Sequence, residues 1–209
     1  MGVGRPRTFD MSEALDRAME VFWRKGYEGA SMVDLTTAMG INSPSLYAAF
    51  GSKEGLFHAV LDHYDQDRAG FLSEVLASST AHEAAECFLL GVADRATDPN
   101  DPPGCLLLQS GLTCGDAASD IPEELARHRN ATELTLRERF ECAKSEGDLP
   151  PDASPAALAR YLVTVSNGIC VQASSGAGRK ELRQIAKMAL AALPASASHK
   201  REAASQRKK

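Results

Sequence analysis

Five cysteines, at positions 87, 105, 114, 142 and 170, and five histidines, at 58, 63, 82, 128 and 199, have the widest chemical repertoire in this 209-residue chain. Their spacing narrows it. The cysteines are odd in number, widely spread and hold no CxxC pair, which argues against a zinc or disulfide framework. Cys105 follows a Pro-Pro-Gly turn at 102–104 and opens an apolar segment. A thiol near a helix N-terminus ionises more readily, and an exposed, electropositive thiolate is what a redox sensor needs. Cys114, nine residues on, is the other candidate for that role. Cys87 and Cys170 neighbour apolar stripes and read as small core residues. His58 and His63 are five apart, off a shared helical face, so no metal site is assigned. No Ser-His-Asp order, Gly-rich phosphate loop or paired carboxylates stand out. No catalytic residue and no cofactor is therefore assigned, and the chain reads as a non-enzyme; a helical enzyme using a C-terminal cysteine is the alternative from another class.

A denser signal lies at 31–50, SMVDLTTAMGINSPSLYAAF. Ser31 can cap a short helix with Asp34 in capping-box position. Leu35 and Met39 form its apolar stripe, and Gly40 stands where a left-handed residue ends it. Ser43 can cap a second helix, with Pro44 in the first helical position, and Leu46 and Phe50 face inward. This is the outline of a helix-turn-helix, whose second helix enters a DNA major groove.

The elements around these residues read as helical throughout, since 3.6-residue stripes are punctuated by Pro/Gly clusters and β-alternation is absent. A first helix is expected over about 10–25, capped by Asp10 with Glu13 as partner and ended by Gly26. Ser52 caps a long helix to about 78, whose stripe Arg68 interrupts. Further helices are expected over about 80–96, 120–146, 155–174 and 179–193. Hydrophobic residues make up 44% of the chain, enough for a sizeable core. No run approaches the roughly 18 apolar residues of a membrane span, and the start MGVGRPRTFD has no secretory core, so a cytoplasmic location is expected. Net charge is −5, and residues 1–64 hold six Lys and Arg against eight Asp and Glu. Phosphate binding depends on local charge, so modest affinity per subunit and dependence on dimerisation are expected.

The run GRPRTFD, followed by KGYEGASMVDLTTAMGINSPSLYAAFGSKEGLF, resembles the TetR/AcrR-type transcriptional regulators over residues 5 to about 65. The resemblance implies a bacterial, all-α homodimer. A three-helix DNA-binding domain with an N-terminal arm (1–51) would join a helical effector-binding and dimerisation domain (52–194), with a basic, disordered tail at 195–209. It implies a usually repressive regulator that binds double-stranded, palindromic operator DNA and answers a small-molecule effector. A thiol-based redox-sensing regulator using Cys105 or Cys114 is the alternative within that class.

Carried onto matching positions, the motif makes Ser31 a cap that also meets phosphate. Ser43 and Ser45 start the recognition helix, and Tyr47 and Lys53 contact phosphate. Ser45, Ala48 and Ala49 stand nearest bases but are small, so shape readout is favoured over direct readout. Arg5 and Arg7, in an extended Gly-Arg-Pro arm, suit a narrow minor groove. Dimerisation is assigned to Leu158, Tyr161, Leu162, Val165, Ile169, Leu182, Ile185, Met188 and Ala189, with Gly168, Ala173 and Ala186 allowing close approach. The effector site is assigned to Phe71, Phe88, Leu108, Gln109, Leu112 and Tyr161. Arg68 is either a side chain that reaches the surface or pairs with a carboxylate such as Asp65 or Glu74, or a polar group that faces an effector cavity or bridges the domains.

Overall fold

The computed structural model describes residues 10–112 and 120–194, with Leu112 described by its backbone alone. Arg5, Arg7, Cys114 and the 195–209 tail lie outside the described residues. Those described form nine helices: α1 (Met11–Gly29), α2 (Met32–Met39), α3 (Ser43–Phe50), α4 (Lys53–Ala77), α5 (Ala81–Arg95), α6 (Leu106–Leu112), α7 (Ile121–Ser145), α8 (Pro155–Ser174) and α9 (Arg179–Leu190). They contain no strand, so the class is all-α as the periodicity predicts. Among them no helix is long and apolar enough to cross a membrane.

Local chemistry sets the helix ends. The Asp10 carboxylate accepts from the Glu13 amide at 3.1 Å. Glu13 does not complete a capping box, because its side chain turns forward to Arg17, 2.5 Å away. Gly26, at φ 71°, breaks the helical backbone of α1, and one more turn follows to Gly29. At α2 the capping box is complete: the Asp34 amide donates to Ser31 Oγ at 3.1 Å, and the Ser31 amide donates back to the Asp34 carboxylate at 3.1 Å. Gly40, at φ 67°, ends that helix. The Ile41 amide reaches back to the Thr36 carbonyl at 3.1 Å, which satisfies a carbonyl the helix end would otherwise leave bare.

At α3 the cap is one residue earlier than expected. Asn42, not Ser43, is the cap, its carboxamide oxygen accepting from the Ser45 amide at 2.8 Å. Ser43 is the first helical residue and Pro44 the second. Asn caps as well as Ser does, and Asn42 accepts from the amide three residues on, the same spacing that Ser31 and Ser52 use at their helices. Ser52 caps α4 through the Gly55 amide at 3.0 Å. Gly55 is fixed by packing: a Cβ there would sit 2.1 Å from the Phe50 carbonyl oxygen, so its absence lets α3 close onto α4.

Two hydrophobic cores result. The first joins Phe22 and Trp23 of α1, Leu35 and Met39 of α2, Leu46 of α3, and Leu56, Phe57, Val60, Leu61 and Tyr64 of α4. It also takes in Leu106, Leu107, Ile121 and Leu125, so α6 and the start of α7 are built into the N-terminal unit. The second joins Val75, Phe88, Leu89, Phe140, Leu162, Ile169, Leu182 and Ala186 with their neighbours from α4, α5, α7, α8 and α9. α4 runs from one core into the other.

Candidate nucleic-acid interface and the cavity behind it

α3 buries Leu46 completely and turns its other side outward: Ser43, Ala48 and Ala49 are exposed, and Tyr47 is 50% exposed. Ser45 is half-buried, with its amide held by the Asn42 cap. The small side chains leave a smooth, uncharged ridge with one aromatic hydroxyl. The cationic partner comes from the next helix. Lys53, at the first turn of α4, places Nζ 4.6 Å from the centre of the Tyr27 ring, which steers the ammonium without neutralising it. Lys25 of α1 pairs within the unit, its ammonium 2.7 Å from Asp34 Oδ1. That pair and the two hydrogen bonds from Ser31 hold the Asp34 carboxyl at about 2, below its usual 3.8, the Lys25 contact being the largest cause. Ser31 Oγ is engaged within the capping box, donating to Asp34 at 2.7 Å. Ser31, Ser43, Tyr47 and Lys53 all lie on the α2–α4 start of the chain; Arg5 and Arg7 cannot be placed.

A chain of ring contacts leads inward from Lys53. Tyr27 packs on Phe57 at 5.0 Å between centroids, and Phe57 meets Phe22 edge-on at 4.8 Å. Seven residues further along α4, Tyr64 meets Trp23 edge-on at 5.3 Å. Tyr64 faces a cavity of about 60 Å³ lined by α4, α5, α6, α7 and α8. Its apolar wall includes Phe71, Phe88, Val92, Leu107, Leu108 and Val163, and its polar wall includes Arg68, Cys105, Asn167 and Cys170.

Three of the six residues assigned to an effector site, Phe71, Phe88 and Leu108, line this cavity. Two do not. Gln109 turns away to donate to Ser174 Oγ at 2.6 Å, and Tyr161 donates its hydroxyl to the Ala189 carbonyl at 3.1 Å, tying α8 to α9. The side chain of Leu112 lies outside the described residues. Arg68 lies on the cavity wall, its guanidinium over the Tyr64 ring, 5.2 Å from the centre. Spacing singles out Cys105 but not its meeting with Tyr64 and Cys170, because those side chains come together only in the fold. Cys170 is 8% exposed, as a core reading predicts, yet it faces the cavity. Two histidines also hold helices together: His63 lies 2.6 Å from Asp16 of α1, and His128 of α7 lies 2.5 Å from Asp65 of α4 and 2.9 Å from Glu124.

The residues assigned to dimerisation divide by burial. Leu162, Ile169 and Leu182 are at most 2% exposed and Ala189 is 8% exposed, all within the chain's own second core. These side chains pack into the chain's own core. Ala173 and Ala186 are buried there too. Leu158, Tyr161 and Val165 are half-buried. Ile185, 48% exposed, and Met188, 64% exposed, on α9, and the unassigned Val171, 44% exposed, on α8, are exposed large apolar side chains. Gly168 stands on α8 with open space where a Cβ would be.

Comparison with known proteins places these features in a wider set. Residues 14–60 match the family model described as bacterial regulatory proteins, tetR family. The chain is 35% identical over 193 residues to the HTH-type transcriptional repressor ComR of Escherichia coli (strain K12), covering 91% of this chain and 92% of that protein. It is 32% identical over 189 residues to the HTH-type transcriptional repressor BdcR of the same organism, covering 89% and 90%. Among solved structures, a cysteine mutant of the TetR family transcriptional regulator CifR complexed with 26-base-pair double-strand operator DNA superposes with a TM-score of 0.87. It is 40% identical, covering 91% of this chain and 100% of that one.

Proposed function

The chain belongs to the TetR family of bacterial regulatory proteins, and we propose that it is a transcriptional repressor that binds operator DNA as a homodimer and releases it on binding a small molecule. A DNA target in a bacterium puts it in the cytoplasm. The observation that carries this reading is the capped α2–α3 pair with its outward ridge, joined through α4 to a cavity about 60 Å³ in size. The relatives are regulators rather than enzymes, and two of them are named repressors.

On this reading Tyr47 and Lys53 clamp phosphates while Ser43, Ala48 and Ala49 bring the backbone of α3 close to the bases. Phosphate contacts set register without reading sequence, so discrimination rests largely on DNA shape. Arg5 and Arg7 extend the footprint into the adjacent minor groove. The DNA-binding unit is taken as 1–51 and the effector and dimer unit as 52–194. The dimer face is the outward side of α8 and α9: Leu158, Val165, Val171, Ile185 and Met188.

The cavity is well below the 300–1,000 Å³ of a pocket for a drug-sized ligand. A ligand larger than a few heavy atoms must push its walls apart, and two of those walls carry residues of the N-terminal core. Tyr64 belongs to that core and to the cavity, and so does Leu107. Wall movement is therefore movement of α4 and α6 against α1, and the effector acts by binding the widened state better. The walls suit a compact, largely apolar molecule with one polar or anionic group for Arg68.

The test is direct. A duplex selected from random-sequence DNA by the full chain should bind it in fluorescence anisotropy. Tyr47→Phe and Lys53→Met should each weaken that binding, by about 1.5–3 kcal/mol if each loses a hydrogen bond to a charged phosphate. Wild-type affinity in both variants would remove the proposed clamp.

A further inference from the structure

The polar end of the cavity brings together four groups of which the proposed function uses two. The Tyr64 hydroxyl donates to Cys105 Sγ at 3.5 Å. The Arg68 guanidinium lies over the same tyrosine ring. Cys105, on the approach to α6, and Cys170, in α8, share a hydrogen bond between their sulfurs. Both sulfurs face the same cavity and both are free thiols.

Two thiols in such contact are unequal. The acceptor gains from losing its proton, and the donor is held to its own. The hydrogen bond from Cys170 does most to lower the Cys105 thiol, with the charge of Arg68 and the Tyr64 hydroxyl adding to it against the cost of burial. The same hydrogen bond, with burial, raises Cys170. Cys87 is a contrast within the chain: burial and the nearby Glu74 raise it, with no cation to offset them. Cys105 is half-buried and lines the cavity, through which a small reagent reaches it. The guanidinium beside the sulfurs argues against a metal cation there.

We propose that Cys105 and Cys170 are a redox pair, Cys105 the thiolate that a hydroperoxide oxidises and Cys170 the thiol that resolves it into a reversible disulfide. In the first step the Cys105 thiolate attacks the terminal peroxide oxygen. The S–O bond forms as the O–O bond breaks, and the leaving alkoxide or hydroxide takes a proton and departs as alcohol or water. The peroxide is reduced by two electrons and Cys105 becomes a sulfenic acid. In the second step the Cys170 sulfur attacks Cys105, the S–S bond forms, and the sulfenic oxygen leaves as water with the Cys170 proton. A dithiol reverses the disulfide by exchange. The disulfide removes the anionic acceptor of Tyr64 and the counter-charge of Arg68, both on α4. Its effect on DNA rests on the reading of α4 as the link between cavity and DNA.

The full chain carrying Cys87→Ser, Cys114→Ser and Cys142→Ser is treated with hydrogen peroxide or cumene hydroperoxide, alkylated and mapped by mass spectrometry; the wild-type chain is mapped alongside as a check on folding. Both remaining thiols should disappear together, with a Cys105–Cys170 linked peptide that dithiothreitol reverses. With Cys170→Ser added, Cys105 should accumulate as a sulfenic acid trapped by dimedone. At neutral pH, iodoacetamide should label Cys105 roughly tenfold faster than Cys87, and Tyr64→Phe should move the labelling midpoint to higher pH. Cys170 staying alkylatable after Cys105 has oxidised, in both chains, would overturn the pair. A linked peptide with unchanged affinity for the selected duplex would overturn the regulatory consequence. Failure of the reduced chain to select any duplex would count against the repressor reading, while the mapping decides the redox pair by itself.

Discussion

Asp34 shows how much a single side chain can hold. It closes the capping box of α2, receives Ser31 Oγ, and pairs with Lys25 of α1. Its carboxyl is held at about 2 in the folded chain against a usual 3.8. A depressed folded value means that the stabilisation is complete above the unfolded value and is lost as pH falls toward 2. The melting temperatures of wild type and Asp34→Asn should therefore converge between about pH 5 and pH 2. A gap that stays constant over that window would show that the ion pair does not stabilise the fold. The motif residues were legible because capping is local chemistry. Ser31, Asp34 and Gly40 act within a few positions of one another. The displaced cap at α3, Asn42 in place of Ser43, comes from two adjacent cap-forming residues that only the register of α3 separates.

At the scale of the element, that register is testable. Asn42→Ala should lower stability by about 1 kcal/mol, as loss of a cap does, measured by urea unfolding. Ser43→Ala should leave it nearly unchanged, because Ser43 lies inside α3. The reverse order would restore Ser43 as the cap. The long helices were also legible, since their stripes run for several turns. What the stripes could not say was which neighbour covers them. Phe71 and Phe88 face a cavity while Tyr161, on an equally regular stripe, braces α9. Cys105 and Cys170 meet through the packing of α6 against α8, which no spacing encodes.

For the whole molecule, apolar periodicity merges two surfaces that burial separates. Met188→Glu should leave the fold intact and shift the chain toward monomer in sedimentation, since Met188 is 64% exposed. Leu182→Ala should instead cost about 2–5 kcal/mol of unfolding free energy, as a buried truncation does. A Met188→Glu chain that stays dimeric would move the interface off this face. Arg5→Ala with Arg7→Ala should lower the salt dependence of DNA binding by about one unit of slope per arginine; an unchanged slope would remove the arm from the footprint. The seven-residue helix α6 carries one further consequence. Leu106 and Leu107 are packed in the same core as Phe22 and Leu61, while Cys105, Leu107 and Leu108 wall the cavity. On the proposed reading, a substitution there changes ligand preference and the resting grip on DNA together, whereas walls remote from that core, such as Val163 and Asn167 of α8, can change the ligand alone.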